Sequence, residues 1–363
     1  MSEIAISIVI PTYQRDALLD RCLTALVHQD FDPSQYEIIV VDDAASESTR
    51  ALVNDWSERT SAYPLVTDLT SLSPLNRDHP SLARLTVART QIAIAPLTSL
   101  PSIRYLAVHG PKHGPAVARN IGWEAARGPL IAFTDDDCIP QQNWLRSGMD
   151  SLLAGADGAS GRTIVPQSTR PSDYEWNARG LEKSIFITAN CFYRRPALQA
   201  AGGFDERFQA AWREDTDLYF TLLEGGFNLV RCADAVVIHP VRPARWGISL
   251  SQQKKNIYNA LLYRKHPRFY RTKIQKMPPI HYYAAVGCML LAVAAAISRT
   301  APLFWGSLAI WSGLTVVFCL RRLKHTAHTP GHILEMALTS LLIPPVAVYW
   351  RLRGAIRYRT LFL

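Results

Sequence analysis

What the chain lacks narrows its function first. Only 19% of its 363 residues are charged, and beyond residue 240 a single acid, Glu335, faces 18 lysines and arginines. The formal net charge of +9 therefore splits into −8 for the first 240 residues and +17 for the rest. A uniformly basic nucleic-acid binder would not divide its charge this way, so no nucleic-acid partner is expected. No two of the six cysteines (Cys22, Cys138, Cys191, Cys232, Cys288, Cys319) are spaced as CxxC, and two fall inside apolar stretches. A zinc site or disulfide framework is thereby disfavoured, and reduced thiols in a cytosolic compartment are expected. Neither a GxxxxGK run nor GxGxxG occurs, which removes the main support for a P-loop or dinucleotide-cofactor protein. A nucleotide bound here needs metal and side-chain contacts instead. The opening residues, MSEIAISIVIPTYQR, carry no basic n-region, so no cleaved signal peptide is expected. With 48% hydrophobic residues, wholesale disorder is excluded.

What is there reads first as an α/β body. Apolar runs at 4–10, 36–41, 103–108 and 130–133 have the character of buried strands, and residues 16–28, 46–56 and 116–126 have helical spacing. That alternation predicts a doubly wound sheet with helices on both faces. Beyond Trp144 the order turns mixed: strands are expected at 158–165, 185–193 and 230–238, and a helix at 215–225 closed by Gly225 and Gly226. A segment at about 59–101, rich in Ser, Thr, Leu and Pro without a sustained period, reads as an irregular insertion in a domain covering 1–240.

The basic tail reads as a membrane module. Residues 280–297 and 301–320 hold no charge, and each is long enough to cross a bilayer core. Basic flanks before the first and after the second, against a lone Arg299 between them, predict a hairpin at 280–320 with the body on the cytoplasmic side. Residues 336–350 contain Pro344 and Pro345 and lead into WRLRGAIRYR. A crossing there would put that basic end outside, so a re-entrant or interfacial segment is expected over 331–363, with a third crossing as the alternative. Within the basic linker at 241–279, residues 248–266 fit either a helix lying on an anionic membrane surface or an amphipathic helix packed on the protein.

Acidic residues stand at the ends of two predicted strands: Asp42 and Asp43 after the second, Asp135, Asp136 and Asp137 after the fourth. In an open α/β sheet, ligands bind beyond those ends. Carboxylates gathered there repel unless a cation or a donor joins them, and a hard divalent cation holding phosphate oxygens is the natural occupant. Each feature also has a plainer reading when taken alone. Asp42-Asp43 can be a solvated turn, the EDTD run at 214–217 an acidic helix start, His239 a structural histidine and Gly202-Gly203 a tight turn.

The order IVIPTYQR, IIVVDDAAS, GPAVARNIGW, AFTDDDC, GGFDERF and REDTDL resembles the inverting, nucleotide-sugar-dependent glycosyltransferases of family 2, which have the GT-A fold. The resemblance runs from about residue 6 to 239. It implies a divalent metal (Mn²⁺ or Mg²⁺), a nucleotide-sugar donor, and donor-side roles for Pro11, Tyr13, Asp42, Asp43, Arg119, Asn120, Asp135 and Asp136. It implies metal ligation by Asp135, Asp137 and His239, and an acceptor side formed by Gly203, Phe204, Asp205 and Trp212. It makes Asp215 the base, with Glu214 beside it. A sugar hydroxyl is a weak nucleophile, and removing its proton as the bond forms needs a carboxylate within hydrogen-bond reach. Because the anchor holds the cleft beside lipid headgroups, a glycan or lipid-linked acceptor at the cytoplasmic face of the cell inner membrane is expected, with a soluble acceptor as the alternative. Where processive members carry QxxRW, this chain has Arg242-Pro243-Ala244-Arg245-Trp246, which argues against a processive polysaccharide synthase. That synthase and a non-catalytic membrane scaffold are the competing readings.

Overall fold

The computed structural model describes residues 3–59 and 100–362. The insertion expected at about 59–101 therefore lies almost wholly outside the described residues. The chain divides into two compact units, one of residues 1–167 and 179–241, the other of residues 168–178 and 242–363.

The first unit is built on one eight-stranded sheet in the order β3-β2-β1-β4-β7-β6-β8-β5. Its strands are β1 (Ile6–Thr12), β2 (Tyr36–Asp42), β3 (Ser102–Ala107), β4 (Leu130–Phe133), β5 (Ile139–Pro140), β6 (Gly158–Ile164), β7 (Cys191–Arg194) and β8 (Leu229–Ile238). β1 pairs in parallel with β2 on one side and β4 on the other, and β3 extends the parallel half beyond β2. Both β1 and β2 are buried along nearly their whole length, as expected of parallel strands covered by helices on both faces. The second half is mixed: β7 runs antiparallel to β4 and β6, while β6 and β8 are parallel. Because β2 and β4 leave β1 in opposite directions, the crevice beyond the carboxyl ends of β1 and β4 is the sheet's switch point.

The helices α1 (Asp16–Val27), α2 (Glu47–Glu58) and α3 (Pro115–Ala125) fall where their spacing predicts. On α3, Gly122 permits close packing: a Cβ there would lie 2.3 Å from Val9 Cγ1 of β1. Three further helices follow in this unit: α4 (Trp144–Leu153), α6 (Arg195–Ala201) and α7 (Glu214–Glu224). The expected strand at 185–193 is reduced to β7. Upstream of it the Asn190 amide replaces ladder bonding, donating to the carbonyls of Arg162 and Ala235 and accepting from Trp144 Nε1. Gly161 makes room for it, since a Cβ there would lie 2.2 Å from Asn190 Oδ1.

The second unit gathers α5 (Asp173–Ala178), α8 (Ile248–Gln252), α9 (Ile257–Lys265), α10 (Ile280–Ile297), α11 (Ala301–Leu323) and α12 (Pro330–Arg357). The last three are long and apolar enough to cross a membrane. Arg322 near the end of α11 ties α5 to these helices: it donates to Asp173 Oδ2 at 2.7 Å, Thr339 Oγ1 at 2.6 Å and Ser249 Oγ at 3.1 Å. Two expectations narrow here. Of the two readings of residues 248–266, packing on protein is the one found, though not as one continuous helix. A tight turn at 253–256 divides them, and Ile257 to Leu262 are buried because α9 packs against α12. Residues 330–357 run as a single helix through Pro344 and Pro345, which leaves the interfacial reading and the third crossing as the two forms this segment can take.

Gly122→Val would drive two methyl groups against Val9 and lift α3, which carries Arg119 and Asn120, from the sheet. Overpacking of this kind costs about 1–3 kcal/mol. A lowered thermal midpoint together with lost activity is the expected outcome; wild-type stability would show that α3 does not need this approach.

Candidate active site

The three aspartates after β4 do not act alike. They sit on a turn closed by the Cys138 amide, which donates to the Asp135 carbonyl at 3.1 Å, and the turn sends their side chains three ways. Asp136 is buried and accepts from Thr12 Oγ1 at 2.8 Å and Arg15 Nη1 at 3.0 Å, fastening the turn to the end of β1. Burial pushes its carboxyl up, against the pull of Arg15. Each of its two oxygens is engaged by a protein donor, which gives Asp136 a structural place in holding the turn.

Asp135 turns toward α3 and accepts from Arg119 Nη2 at 2.8 Å. Arg119 is itself buried, and its Nη1 donates to Glu214 Oε1 at 2.9 Å. Burial opposes its charge, but Asp135 and Glu214 more than offset that and keep the guanidinium protonated. The side chain lies over the Phe204 ring, 5.8 Å from its centroid. With both terminal nitrogens engaged by carboxylates, Arg119 is a bridge between the β4 turn and α7.

Asp137 faces His239, which follows β8. Asp137 Oδ1 lies 3.6 Å from His239 Nε2, longer than a hydrogen bond. Cys138 Sγ joins them in a group of potential ligand atoms lying within 4.8 Å of one another. His239 Nδ1 is buried with no hydrogen-bond partner among the described residues. A carboxylate and an imidazole that converge without bonding, one with an orphaned nitrogen, fit a divalent cation of the Mn²⁺ or Mg²⁺ type. Cys138 fits less well, since burial holds its thiol well above the usual range and leaves a neutral sulfur. Of the three expected ligands, Asp137 and His239 come together, and Asp135 is held by Arg119.

The start of α7 carries the acidic pair. Arg213 precedes it in the left-handed region (φ 80°), a backbone state that costs a residue with a side chain on the order of 1–3 kcal/mol and that clusters at functional sites. Glu214 turns inward to Arg119, and its Oε2 is buried without a hydrogen-bond partner among the described residues. Burial, with the neighbouring Asp215 carboxylate, pushes its carboxyl up to about 7 against the pull of Arg119. Asp215 is half-buried, and burial raises its carboxyl too, opposed by the bonds from Thr216. Those bonds, from the Thr216 amide at 2.6 Å and its hydroxyl at 3.1 Å, both end on Oδ1. Oδ2 is left as the oxygen able to take a proton.

The remaining expected residues divide between surface and scaffold. Asn120 is a clamp: its Oδ1 accepts from the Phe204 amide at 2.9 Å and from Trp123 Nε1 at 3.0 Å, and its Nδ2 donates to the Phe204 carbonyl at 2.9 Å. Gly203 has φ 71°, and a Cβ there would lie 2.6 Å from Asn120 Oδ1, so glycine is required on both counts. Phe204 is buried edge-on against Phe133. Asp205 receives the Arg207 guanidinium and backbone amide. Trp212 is 37% exposed, with the Arg213 guanidinium 4.7 Å from its ring centroid. Asp42 is spent on the loop before α2, accepting from the amides of Ala44 and Ser46 and from Tyr105 Oη. Asp43 accepts from the Gly114 amide at 3.0 Å and meets His113 Nδ1 at 2.9 Å, holding the loop before α3. Pro11 is half-buried in β1, and Tyr13 just beyond it is 54% exposed. Sequence reasoning gave no role to Thr12, Arg15, Tyr105 or Cys138. Arg15 stands within the PTYQR run, and Cys138 directly follows the aspartates, so adjacency was the available signal.

Comparison with known proteins agrees with this geometry. The family model described as glycosyl transferase family 2 matches residues 7–70 and 90–202, and that described as glycosyl transferase family group 2 matches residues 173–349. A validoxylamine A glucosyltransferase of Streptomyces hygroscopicus subsp. limoneus is 46% identical over 311 residues, covering 72% of this chain and 57% of that protein. The glycosyltransferase AglE of Haloferax volcanii is 22% identical over 250 residues, covering 66% of this chain and 67% of the relative. The chain thus spans little more than half the length of the first of these and about two thirds of the second. A mannosyltransferase from Pyrobaculum calidifontis, solved with GDP-Man and Mn²⁺, superimposes with a TM-score of 0.50 at 16% identity, covering 99% of this chain and 88% of that one. The mixed sheet, its switch-point crevice and the ordered motifs around it are those of a GT-A fold, and the chain belongs to glycosyl transferase family 2.

Proposed function

We propose that the chain transfers one sugar, with inversion, from a nucleoside-diphosphate donor to an acceptor hydroxyl, in a metal-dependent reaction. The observation that carries this reading is the buried Asp135–Arg119–Glu214 bridge. It ties the turn that bears Asp137 to the helix start that bears Asp215, so a metal-side carboxylate and a base candidate are held in one rigid frame.

In this reading Asp215 Oδ2 takes the proton of the acceptor hydroxyl while the acceptor oxygen bonds to the anomeric carbon and the bond from that carbon to the diphosphate breaks. One carboxylate suffices for such a single displacement, by the logic of the base in inverting hydrolases. Asp137 and His239 would hold a divalent cation, which when bound would supply Lewis-acid stabilisation of the departing diphosphate. Glu214 keeps Arg119 in place, and burial raises the proton affinity of Asp215. Arg15 and Thr12 hold the β4 turn through Asp136.

The acceptor is read as a lipid-linked or cell-surface glycan reached at the cytoplasmic face of the cell inner membrane. The three apolar helices and their basic flanks support this. A second reading, a small soluble sugar-like acceptor, is favoured by the 46% identity to a protein named for glucosylating validoxylamine A. Assay of the full chain in lipid nanodiscs against both acceptor types separates them, because only a lipid-linked acceptor gives a membrane-retained product.

Three outcomes are expected. Asp215→Asn lowers turnover by about 10²–10⁴-fold, the usual worth of a general base, while donor-induced thermal stabilisation persists; unchanged turnover would remove Asp215 from that role. Excess chelator abolishes activity, and added Mn²⁺ or Mg²⁺ restores it; full activity in chelator would end the metal assignment. The pH profile follows from the raised carboxyl of Asp215. The base works ionised, so activity is present above that raised value and is lost as pH falls through it. The acid limb of kcat/KM should lie above the ordinary aspartate value of about 4, and a limb at or below it would contradict the account.

A further inference from the structure

The third apolar helix, α12, is long enough to cross a bilayer, yet both of its ends touch the same stretch of chain. Near its start, Glu335 Oε1 accepts from the Gly247 amide at 2.7 Å. Near its end, Arg351 Nη1 donates to Gln275 Oε1 at 3.1 Å, and the Tyr358 carbonyl accepts from Arg264 Nη1 at 2.8 Å. Between these, Gly354 packs so closely on α9 that a Cβ would lie 2.7 Å from the Ile257 carbonyl oxygen. Gly247, Ile257, Arg264 and Gln275 all precede Ile280, where the first apolar helix begins. The stretch from 247 to 276 carries eight lysines and arginines and no acid, so it belongs in water or among headgroups. A helix crossing the bilayer would end about 30 Å away, in the opposite aqueous phase, and could not reach it.

The two faces of α12 agree with this placement. His332, Met336, Ser340, Ile343, Ala347 and Arg351 recur at helical spacing and are buried against protein. Leu334, Leu338, Leu342, Tyr349, Leu352 and Ile356 are exposed along the other face, a stripe of about 33 Å at 1.5 Å per residue. Trp246, beside the Gly247 that binds Glu335, is 57% exposed, and an exposed indole is at home at headgroup level.

We propose that α12 lies in the plane of the membrane interface and does not cross. Its exposed leucine stripe rests in the acyl boundary of one leaflet, and the chain's end returns to the side that holds residues 247–276. This rests on the reading that α10 and α11 cross the bilayer as a hairpin. The occupant of the stripe is then lipid, since Gln275 just before the hairpin and Arg322 near its end both bond to α12, which sets this helix at the level where the hairpin leaves the membrane. An interfacial helix of this kind seats its apolar face about 5–10 Å below the headgroups.

The test uses the full chain in its native membrane, with single substitutions Ser298→Cys in the hairpin turn and Leu361→Cys beyond α12. The unsubstituted chain, whose six cysteines are buried or partly buried, is the blank. With a membrane-impermeant maleimide added from outside, Ser298→Cys is expected to label and Leu361→Cys to label only after permeabilisation. Outside labelling of both would show a third crossing and overturn the proposal. Protection of both would remove the two crossings, and with them the proposal, which distinguishes that failure from the first. Spin labels at Leu334→Cys, Leu342→Cys and Leu352→Cys in nanodiscs should report one shared shallow depth. A maximum at residue 342 would mean a crossing helix, and water exposure at all three would remove the lipid-facing stripe.

Discussion

Arg119 is the residue on which the catalytic unit depends. It is buried between Asp135 and Glu214, and it joins the turn after β4 to the first residue of α7. Removing one member of a buried pair typically costs about 3–5 kcal/mol, because the partner is left as an uncompensated charge. The same bridge fixes the site's electrostatics. Without the guanidinium, Asp135, Glu214 and Asp215 would crowd like charges into a desolvated crevice. With it, Glu214 is held, and Asp215 keeps one oxygen uncommitted while the other is tied to Thr216. Loop order extends outward from this centre, through Asn120 one residue along α3 to the Gly203-Phe204 turn.

The fold was largely legible because its parallel half follows simple rules. Predominantly apolar runs such as those of β1 and β2 read as covered strands, and the acids that stop β2 and β4 mark the crevice. The mixed half was harder. β7 is four residues long because Asn190 supplies side-chain bonds where a ladder was expected, and no period in the sequence reports that. In the site, residue types were readable but side-chain directions were not. Asp135, Asp136 and Asp137 are indistinguishable in sequence, yet an irregular turn sends one to Arg119, one to Arg15 and one toward His239. Asn120, Phe204 and Asp42 likewise stand in the motifs that mark the family, and each proves to hold a loop or the core in place.

The second unit follows a different economy. The buried side chains of Asp173, Thr339 and Ser340 meet in a network around Arg322, and the unit's apolar surface lies on the outside of its helices. The proline pair that suggested a break in α12 does not interrupt the helix. Proline removes one backbone donor and bends a helix without necessarily ending it, and neighbouring segments can compensate. The linker that looked like a surface helix is buried instead because Gly354 lets α9 and α12 approach at backbone distance.

The central claim is a single displacement assisted by one carboxylate, and the stereochemistry of the product tests it most directly. The anomeric proton coupling of the transferred sugar, followed by NMR from donor to first-formed product, is predicted to show inversion of configuration. Retention would require a covalent intermediate or a same-face transfer, and would contradict the role given to Asp215.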